Sequence, residues 1–206
     1  MSNEKTKVQM DPKYIIKLTA TLFVTCLVVA GLLGGVNAIT AEKIAAINWD
    51  KTVAAMKEVV ADPDATTFSD ALDKTPEMEA AAAAYGALDS IYQVQVNGAP
   101  AGYAIKVVAS GSQGSIEMMV GVDSEGAVTG VSIVSNSETS GIGSKVMANE
   151  PTAAGVGVLT QFEGKSAADG VLTVGKGIDA ISGATVSSKG VTAGVNAALA
   201  VAAVMG

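Results

Sequence analysis

One segment near the N-terminus constrains this chain more than any other: residues 18–41, 24 in a row, carry no formal charge. A helix of about 20 apolar residues is long enough to cross the hydrocarbon core of a membrane. We therefore predict a transmembrane helix over residues 18–39. The preceding segment, 1–17, holds four lysines and two acidic residues, and lysine-rich flanks stay in the cytoplasm. The expected location is the cell (inner) membrane, with a single pass, a cytoplasmic N-terminus and an extracytoplasmic remainder.

A cleaved signal peptide is the alternative interpretation of the same stretch, with small residues at Val36-Asn37-Ala38 as the cleavage site. The apolar region of a signal peptide usually runs for only about 7–15 residues, so the length favours a retained anchor in the lipid bilayer. Cys26 lies within this stretch and is the only cysteine. It is therefore unable to form an intrachain disulfide or to supply a metal cluster.

Composition excludes several classes of function. All 13 basic residues are lysine, and the chain has no histidine, which excludes a histidine general base and histidine zinc ligands. The net charge is −7, and nucleic-acid binding needs a basic face, so no nucleic-acid partner is expected. No metal site is expected either. Redox chemistry in such a chain would require a bound organic cofactor.

Residues 40–90 are expected to form a membrane-proximal helical segment. Thr40 is a candidate cap for a helix that runs to Val60, and Asp62-Pro63-Asp64 is expected to end that helix. A second, alanine-rich helix is predicted around Glu77 to Tyr85.

From residue 91 onward the pattern changes to the alternation that is typical of strands. Asn97-Gly98 predicts a tight hairpin, and the last stretch, Ser187 to Met205, is expected to be a helix. The predicted class is α+β, with an antiparallel meander of about four strands flanked by helices in a domain over residues 91–206. The expected strands are 91–96, 102–109, 115–122 and 128–134.

The segment 179–188 has the composition of a loop that opens a helix: Asp-Ala-Ile-Ser-Gly-Ala-Thr-Val-Ser-Ser. Its residues leave two interpretations open. One is an ordinary helix cap. The other is a phosphate site, because a helix N-terminus presents unpaired N–H groups and a positive dipole, with Gly183 permitting close approach and Thr185 offering a hydroxyl.

The same segment resembles the flavinylation motif of the FMN-binding domain family, which reads Asp, two residues, Ser or Thr, then Gly-Ala-Thr. In the loop 137–143, Ser140 stands where the family usually has proline and Ile142 where it has leucine. Within the family, the chain is similar to the G subunits of Rnf (ferredoxin:NAD oxidoreductase) complexes and, more distantly, to the C subunits of Na⁺-translocating NADH:quinone reductases. Further similar segments follow in the expected order: 101–104, 121–123, 130–133, 137–143 and 161–165.

The resemblance implies a role for particular residues. It implies FMN joined covalently to Thr185 through a phosphoester, and Asp179 as part of the sequence recognised by a magnesium-dependent flavin transferase that uses FAD. For Glu138 a solvated loop carboxylate is the alternative, and for Ser187 and Ser188 a plain helix cap. The other residues implied at the cofactor are Ser182, Gly183, Ala184, Ser187, Ser188, Glu138, Thr139 and Gly141.

The function that the resemblance implies is electron relay within an ion-translocating Rnf complex that exports Na⁺ or H⁺. The chain has neither a Gly-x-Gly-x-x-Gly dinucleotide motif nor a set of iron–sulfur cysteines, so those centres are expected on partner subunits. Two alternatives remain open. One is a stand-alone anchored FMN protein for extracytoplasmic electron transfer. The other is an anchored structural protein without redox activity, which would leave the segment 179–185 without a role.

Overall fold

The computed structural model describes residues 12–205, and the chain divides after Trp49 into two compact units. Helix α1, Pro12–Glu58, supplies the described part of the first unit and, with its last residues, enters the second. Its most apolar 18-residue window has no buried residue. By length and composition, α1 is able to cross a membrane.

Three threonine hydroxyls on α1 form hydrogen bonds within the helix itself. Thr21 donates to the carbonyl of Lys17 and Thr25 to that of Thr21, each at 2.8 Å. Thr40 likewise donates to the carbonyl of Val36 at 2.9 Å. The expectation that Thr40 caps a separate helix is therefore wrong. A cap needs non-helical backbone, and the alanine-rich sequence here favours continuation of the helix.

The second unit is built on a five-stranded antiparallel sheet whose strands neighbour one another in chain order. This confirms the α+β class and the meander, with one strand more than expected. The additional strand, β1, is an edge strand with little apolar alternation, so its sequence carries a weak strand signal. The strands are β1 Thr66–Ala71, β2 Ala87–Val96, β3 Ala99–Ser110, β4 Ser115–Asp123 and β5 Val128–Asn136.

The turn between β2 and β3 has the conformation that its sequence predicts. Asn97 has φ +52° and Gly98 has φ +81°, and two positive φ values in a row define a type I′ turn. Outside the sheet lie three helices, two short 3₁₀ turns and a parallel pair of very short strands. They are α2 Pro76–Ala83, α3 Gly143–Met147, the turns Thr160–Phe162 and Ala167–Asp169, β6 Thr173–Val174, β7 Gly177–Ile178, and α4 Thr185–Met205.

Both faces of the sheet are covered. On one face, Val191 and Val195 of α4 join a core cluster with Ile105 of β3. On the other, Met56 of α1 and Val59, just after the helix ends, pack with residues of β2, β3, β4 and β5. Helix α4 is long and apolar enough to cross a membrane, but 61% of its apolar window is buried, as expected of the core helix of a globular domain.

Helix α4 approaches the end of β3 closely at Gly190. A Cβ atom at this position would lie 2.5 Å from the carbonyl oxygen of Ser110, so only glycine allows this separation. The N-terminal turns of α4 are thereby held beside the turn that joins β3 to β4.

Candidate functional site

The segment that leads into α4 alternates buried and exposed side chains with a period of three. Ile178, Ile181 and Ala184 are buried and fix the main chain to the core. The residue that follows each of them is exposed. The segment therefore presents three polar side chains to solvent: Asp179, Ser182 and Thr185.

A tight turn ends this segment and starts the helix. The N–H of Ala184 donates to the carbonyl of Ile181 at 2.9 Å, and Gly183 between them has φ +84°, a value that favours glycine. Thr185 is the first residue of α4. Its hydroxyl therefore stands where a helix presents N–H groups without helical partners and a partial positive charge.

The loop after β5 brings a carboxylate to the same place. One oxygen of Glu138, Oε1, accepts hydrogen bonds from the N–H groups of Ser112 at 2.7 Å and Gln113 at 3.2 Å. The other, Oε2, accepts one from the hydroxyl of Ser187. Glu138 thus connects the β3–β4 turn to the first turn of α4, and its side chain is half-buried.

Two glycines enclose the Glu138 carboxylate. A Cβ atom on Gly143 would collide with Oε2 of Glu138 and lie 2.8 Å from the hydroxyl oxygen of Ser187. One on Gly111 would collide with Oε1. A side chain at either position would displace the carboxylate, so both glycines are required for its hydrogen bonds.

These elements surround an open cavity of about 300 Å³. It joins the loop after β5, the β3–β4 turn and the start of α4, which are distant in sequence. Six of the ten site residues that were predicted from the sequence line this cavity. The complete lining is Ser112, Gln113, Glu138, Thr139, Ile142, Gly143, Gly183, Ala184, Thr185, Val186 and Ser187.

The structure places the other four predicted residues outside the lining. Ser182 and Asp179 are exposed on the segment that precedes the cavity. Gly141 lies in an exposed turn, where its N–H donates to the hydroxyl of Ser144 at 2.8 Å. Ser188 is fully buried, and its hydroxyl donates to the carbonyl of Ala184 at 3.1 Å.

Three further residues contribute to the site without having been assigned a role from the sequence. Ser112 and Gln113 supply the N–H groups that bind Glu138; the only signal for them was the glycine-rich turn 111–114 between two strands. Gln161 holds the main chain of Asp179, since its Oε1 accepts from the N–H of Asp179 at 2.7 Å and its Nε2 donates to the carbonyl at 3.1 Å.

Among the described residues, two larger cavities lie elsewhere. One, of about 430 Å³, runs along α1 and is lined by Tyr14, Lys17, Leu18, Thr21, Leu22 and Thr25. The other, of about 390 Å³, lies around Tyr103 and Asp123. Neither includes any residue of the segment 179–185. Among residues 12–205, no cluster of three or more His, Cys, Asp or Glu side chains is arranged to hold a metal ion.

The fold and the cavity define an α+β domain with an open cavity at the start of its core helix. Residues 111–200 match the family described as the FMN-binding domain. The G subunit of the Na⁺-translocating ferredoxin:NAD⁺ oxidoreductase complex of Acetobacterium woodii is 34% identical over 144 residues, which cover 68% of this chain and 69% of that protein. The G subunits of the ion-translocating oxidoreductase complex from two strains of Aliivibrio fischeri are each 46% identical over 54 residues, 26% of either chain. This chain therefore belongs to the FMN-binding domain family, and it is similar to these G subunits.

The residues of the cavity fit the groups of FMN. Ile142 and Val186 are 52% and 57% exposed and border the cavity, so apolar surface is available to a flat aromatic ring. Thr139 and Thr185 offer hydroxyls, and the start of α4 suits a phosphate. The single carboxylate in the lining, Glu138, is already held by three donors.

Proposed function

We propose that this chain is the FMN-carrying electron-transfer subunit of a membrane-bound, ion-translocating ferredoxin:NAD⁺ oxidoreductase complex, with FMN joined to Thr185 by a phosphoester. The observation that carries the proposal is the position of Thr185. Its side chain is exposed at the first residue of α4 and borders the cavity that Glu138 and Thr139 line.

Bound FMN would supply the capacity to accept and release electrons, and the chain would supply its position and electrostatic surroundings. Thr185 would hold the phosphate end. Ile142 and Val186 would cover apolar ring surface, and Thr139 would offer a hydroxyl to a polar edge. Glu138 would hold the loop after β5 and the start of α4 in fixed positions around the cofactor.

Charge favours covalent attachment over free binding. The cavity lining contains the carboxylate of Glu138 and no lysine. A free phosphomonoester carries about −1.5 to −2 charges at pH 7 and would need a cationic clamp beside that carboxylate. A phosphodiester to Thr185 carries one negative charge, which lowers the repulsion, and the bond holds the cofactor without a clamp.

Anchoring by α1 is part of the proposal. Its apolar residues are exposed over the length of a membrane span, and the lysine-rich start of the chain is expected in the cytoplasm. The domain that follows would then face the outside of the cell, where a flavin that dissociated would be lost. A covalent bond prevents that loss.

Other subunits complete the electron path. Relatives of this chain are named as subunits of ion-translocating oxidoreductase complexes. This chain has one cysteine and no dinucleotide motif, so we assign the iron–sulfur centres and the NAD site to partner subunits. A magnesium-dependent flavin transferase with FAD as donor would install the cofactor at the segment 179–185.

The test is the intact mass of the chain purified from its native membrane. We expect the sequence mass plus one FMN less one water, with the addition on the peptide that contains Thr185. The same chain made in a host without the flavin transferase serves as the unmodified control. An unmodified native chain, or an addition on another peptide, would contradict the proposal. Multispan membrane subunits that co-purify with the native chain would separate this function from a stand-alone flavoprotein.

A further inference from the structure

Gln161 lies in the 3₁₀ turn Thr160–Phe162, outside the cavity, and contacts the segment 179–185 at its first residue. Its amide group makes two hydrogen bonds to the main chain of Asp179, one to the N–H and one to the carbonyl. This two-point contact occupies both polar groups of that residue's backbone, as a neighbouring strand would.

The turn that carries Gln161 is itself held from two sides. Phe162 is fully buried. Asn149 accepts a hydrogen bond from the N–H of Leu159 at 2.8 Å and donates one to the hydroxyl of Thr160, also at 2.8 Å. Gln161 therefore projects from a fixed support, which lets its side chain determine where the main chain of Asp179 lies.

Buried Ile178 and Ile181 hold the segment to the core on either side of Asp179, but the main chain between them makes few other hydrogen bonds. Before it, Gly177–Ile178 pairs with β6; after it, the next backbone hydrogen bond within the described residues joins Ala184 to Ile181. The side chain of Asp179 is exposed, so it gives the segment no anchor of its own. Between these two points, the hydrogen bonds from Gln161 are what hold the polar groups of this backbone.

We infer that Gln161 is a positioning residue for cofactor attachment: it holds Asp179 so that Asp179, Ser182 and Thr185 are presented together to the modifying enzyme. The inference rests on the proposed function. In the attachment step, the hydroxyl oxygen of Thr185 forms a bond to the phosphorus of the FMN half of FAD, and the pyrophosphate bond breaks. AMP leaves with the bonding electron pair, the threonine proton passes to solvent, and no atom is oxidised or reduced.

A segment that adopts its presented conformation for only a fraction of the time binds an enzyme with an apparent affinity reduced by that fraction. Once bound, it reacts normally. Loss of the Gln161 contact should therefore raise KM for the chain as substrate and leave kcat nearly unchanged. A general loss of folding would instead lower the melting temperature of the domain and reduce the amount of competent substrate.

The experiment uses the full-length chain, made without flavin transferase, kept in detergent and then incubated with purified transferase, FAD and Mg²⁺. Incorporation is followed by in-gel flavin fluorescence and intact mass. Gln161→Met preserves size and removes both hydrogen bonds to Asp179, together with a longer one from Nε2 to the carbonyl of Gly157 at 3.5 Å. Gln93→Met is the matched control, because among residues 12–205 the side-chain amide of Gln93 hydrogen-bonds only with that of Gln95, from which it accepts at 3.3 Å on the sheet. We expect a rise in KM of up to about thirtyfold for Gln161→Met alone, since two hydrogen bonds of ordinary strength together correspond to roughly that factor.

Hydrogen exchange provides the second measurement. The amide of Asp179 should exchange at least several-fold faster in Gln161→Met, with the melting temperature of the domain unchanged. If Gln161→Met has the same KM and the same Asp179 exchange rate as the parent, and the parent is modified at Thr185, this inference is wrong and the proposed function stands. A lower melting temperature, together with a rise in KM and a fall in kcat by the same factor, would also overturn it. A parent chain that the transferase does not modify would overturn the proposed function, and this inference with it.

Discussion

The carboxylate of Glu138 accepts a hydrogen bond from the hydroxyl of Ser187, two residues beyond Thr185 on the first turn of α4. The same carboxylate binds the N–H groups of Ser112 and Gln113. One side chain thus couples the start of the core helix to two loops. The position of the proposed attachment residue depends on a contact between residues 49 positions apart in the sequence.

Replacement of Thr185 by valine should abolish covalent flavin while the domain still folds, because the side chain is exposed and similar in shape. Flavin fluorescence in a denaturing gel and the intact mass measure the loss. Thr185→Ser keeps a hydroxyl and should retain modification, and Thr139→Val, across the cavity, should keep it fully. Flavin that stays attached in Thr185→Val would disprove the assignment of this residue.

Replacement of Glu138 by glutamine should raise the reduction potential of the flavin by tens of millivolts without affecting attachment. Removal of a negative charge near the ring favours the reduced, more anionic cofactor; about 1 kcal/mol corresponds to ~20 mV for a two-electron couple. Redox titration and the absorption spectrum measure the change. Glu163→Gln, at an exposed position outside the cavity, is the control. A titration curve of Glu138→Gln that overlays the parent would show that the carboxylate does not act on the flavin.

Lys106 should stabilise the second unit in a pH-dependent manner. Burial alone would lower the pKa of Lys106, but its hydrogen bonds with Asp89 and Glu117 and their charges outweigh burial and raise it above the ordinary value of 10.5. The ion pairs span 3.2 and 3.4 Å. Because the folded-state pKa is the higher one, this stabilisation is complete below pH 10.5 and is lost as the pH rises through the folded-state value.

Urea unfolding of the full chain in detergent, at pH 7, 9 and 11.5, tests this dependence. Lys106→Met should lower the free energy of unfolding by about 1 kcal/mol at pH 7 and 9, and by clearly less at pH 11.5. Lys145→Met, at an exposed position, should be neutral at every pH. An effect of Lys106→Met that stays constant up to pH 11.5 would mean that packing of the side chain, and not its charge, stabilises the sheet.

The chain should stay in the membrane after a high-salt wash and expose residues beyond 50 on the outer side. Protease added to spheroplasts should digest that part, and a reporter fused after Gly206 should be active only if it functions outside the cytoplasm. Leu27→Lys combined with Leu32→Lys should release the chain, since each charge at the centre of a span costs about 2.5–3.5 kcal/mol. Leu27→Ile combined with Leu32→Ile is the control. A domain that protease does not reach would reverse the proposed orientation.

Features that depend on neighbouring residues could be predicted from the sequence alone. A long uncharged run predicts a helix able to span a membrane, and α1 has that character. Asn97-Gly98 predicts a type I′ hairpin, because few residues tolerate two positive φ values in succession, and the turn has them. The alternation after residue 91 predicted the meander, and the resemblance of 179–185 to a flavinylation motif identified the family.

Contacts between residues distant in the sequence could not be predicted in this way, because they depend on the packing of the whole domain. The sequence contained no signal that Glu138 would bind the β3–β4 turn and Ser187, that Ser188 would be fully buried, or that Gln161 would hold Asp179. These contacts form because α4 packs against the sheet in a single arrangement, and Gly190 permits the close approach of α4 to the end of β3. Periodicity and turn chemistry report the conformation of adjacent residues, whereas side-chain hydrogen bonds between loops depend on how the elements pack, and that information is spread over the whole core.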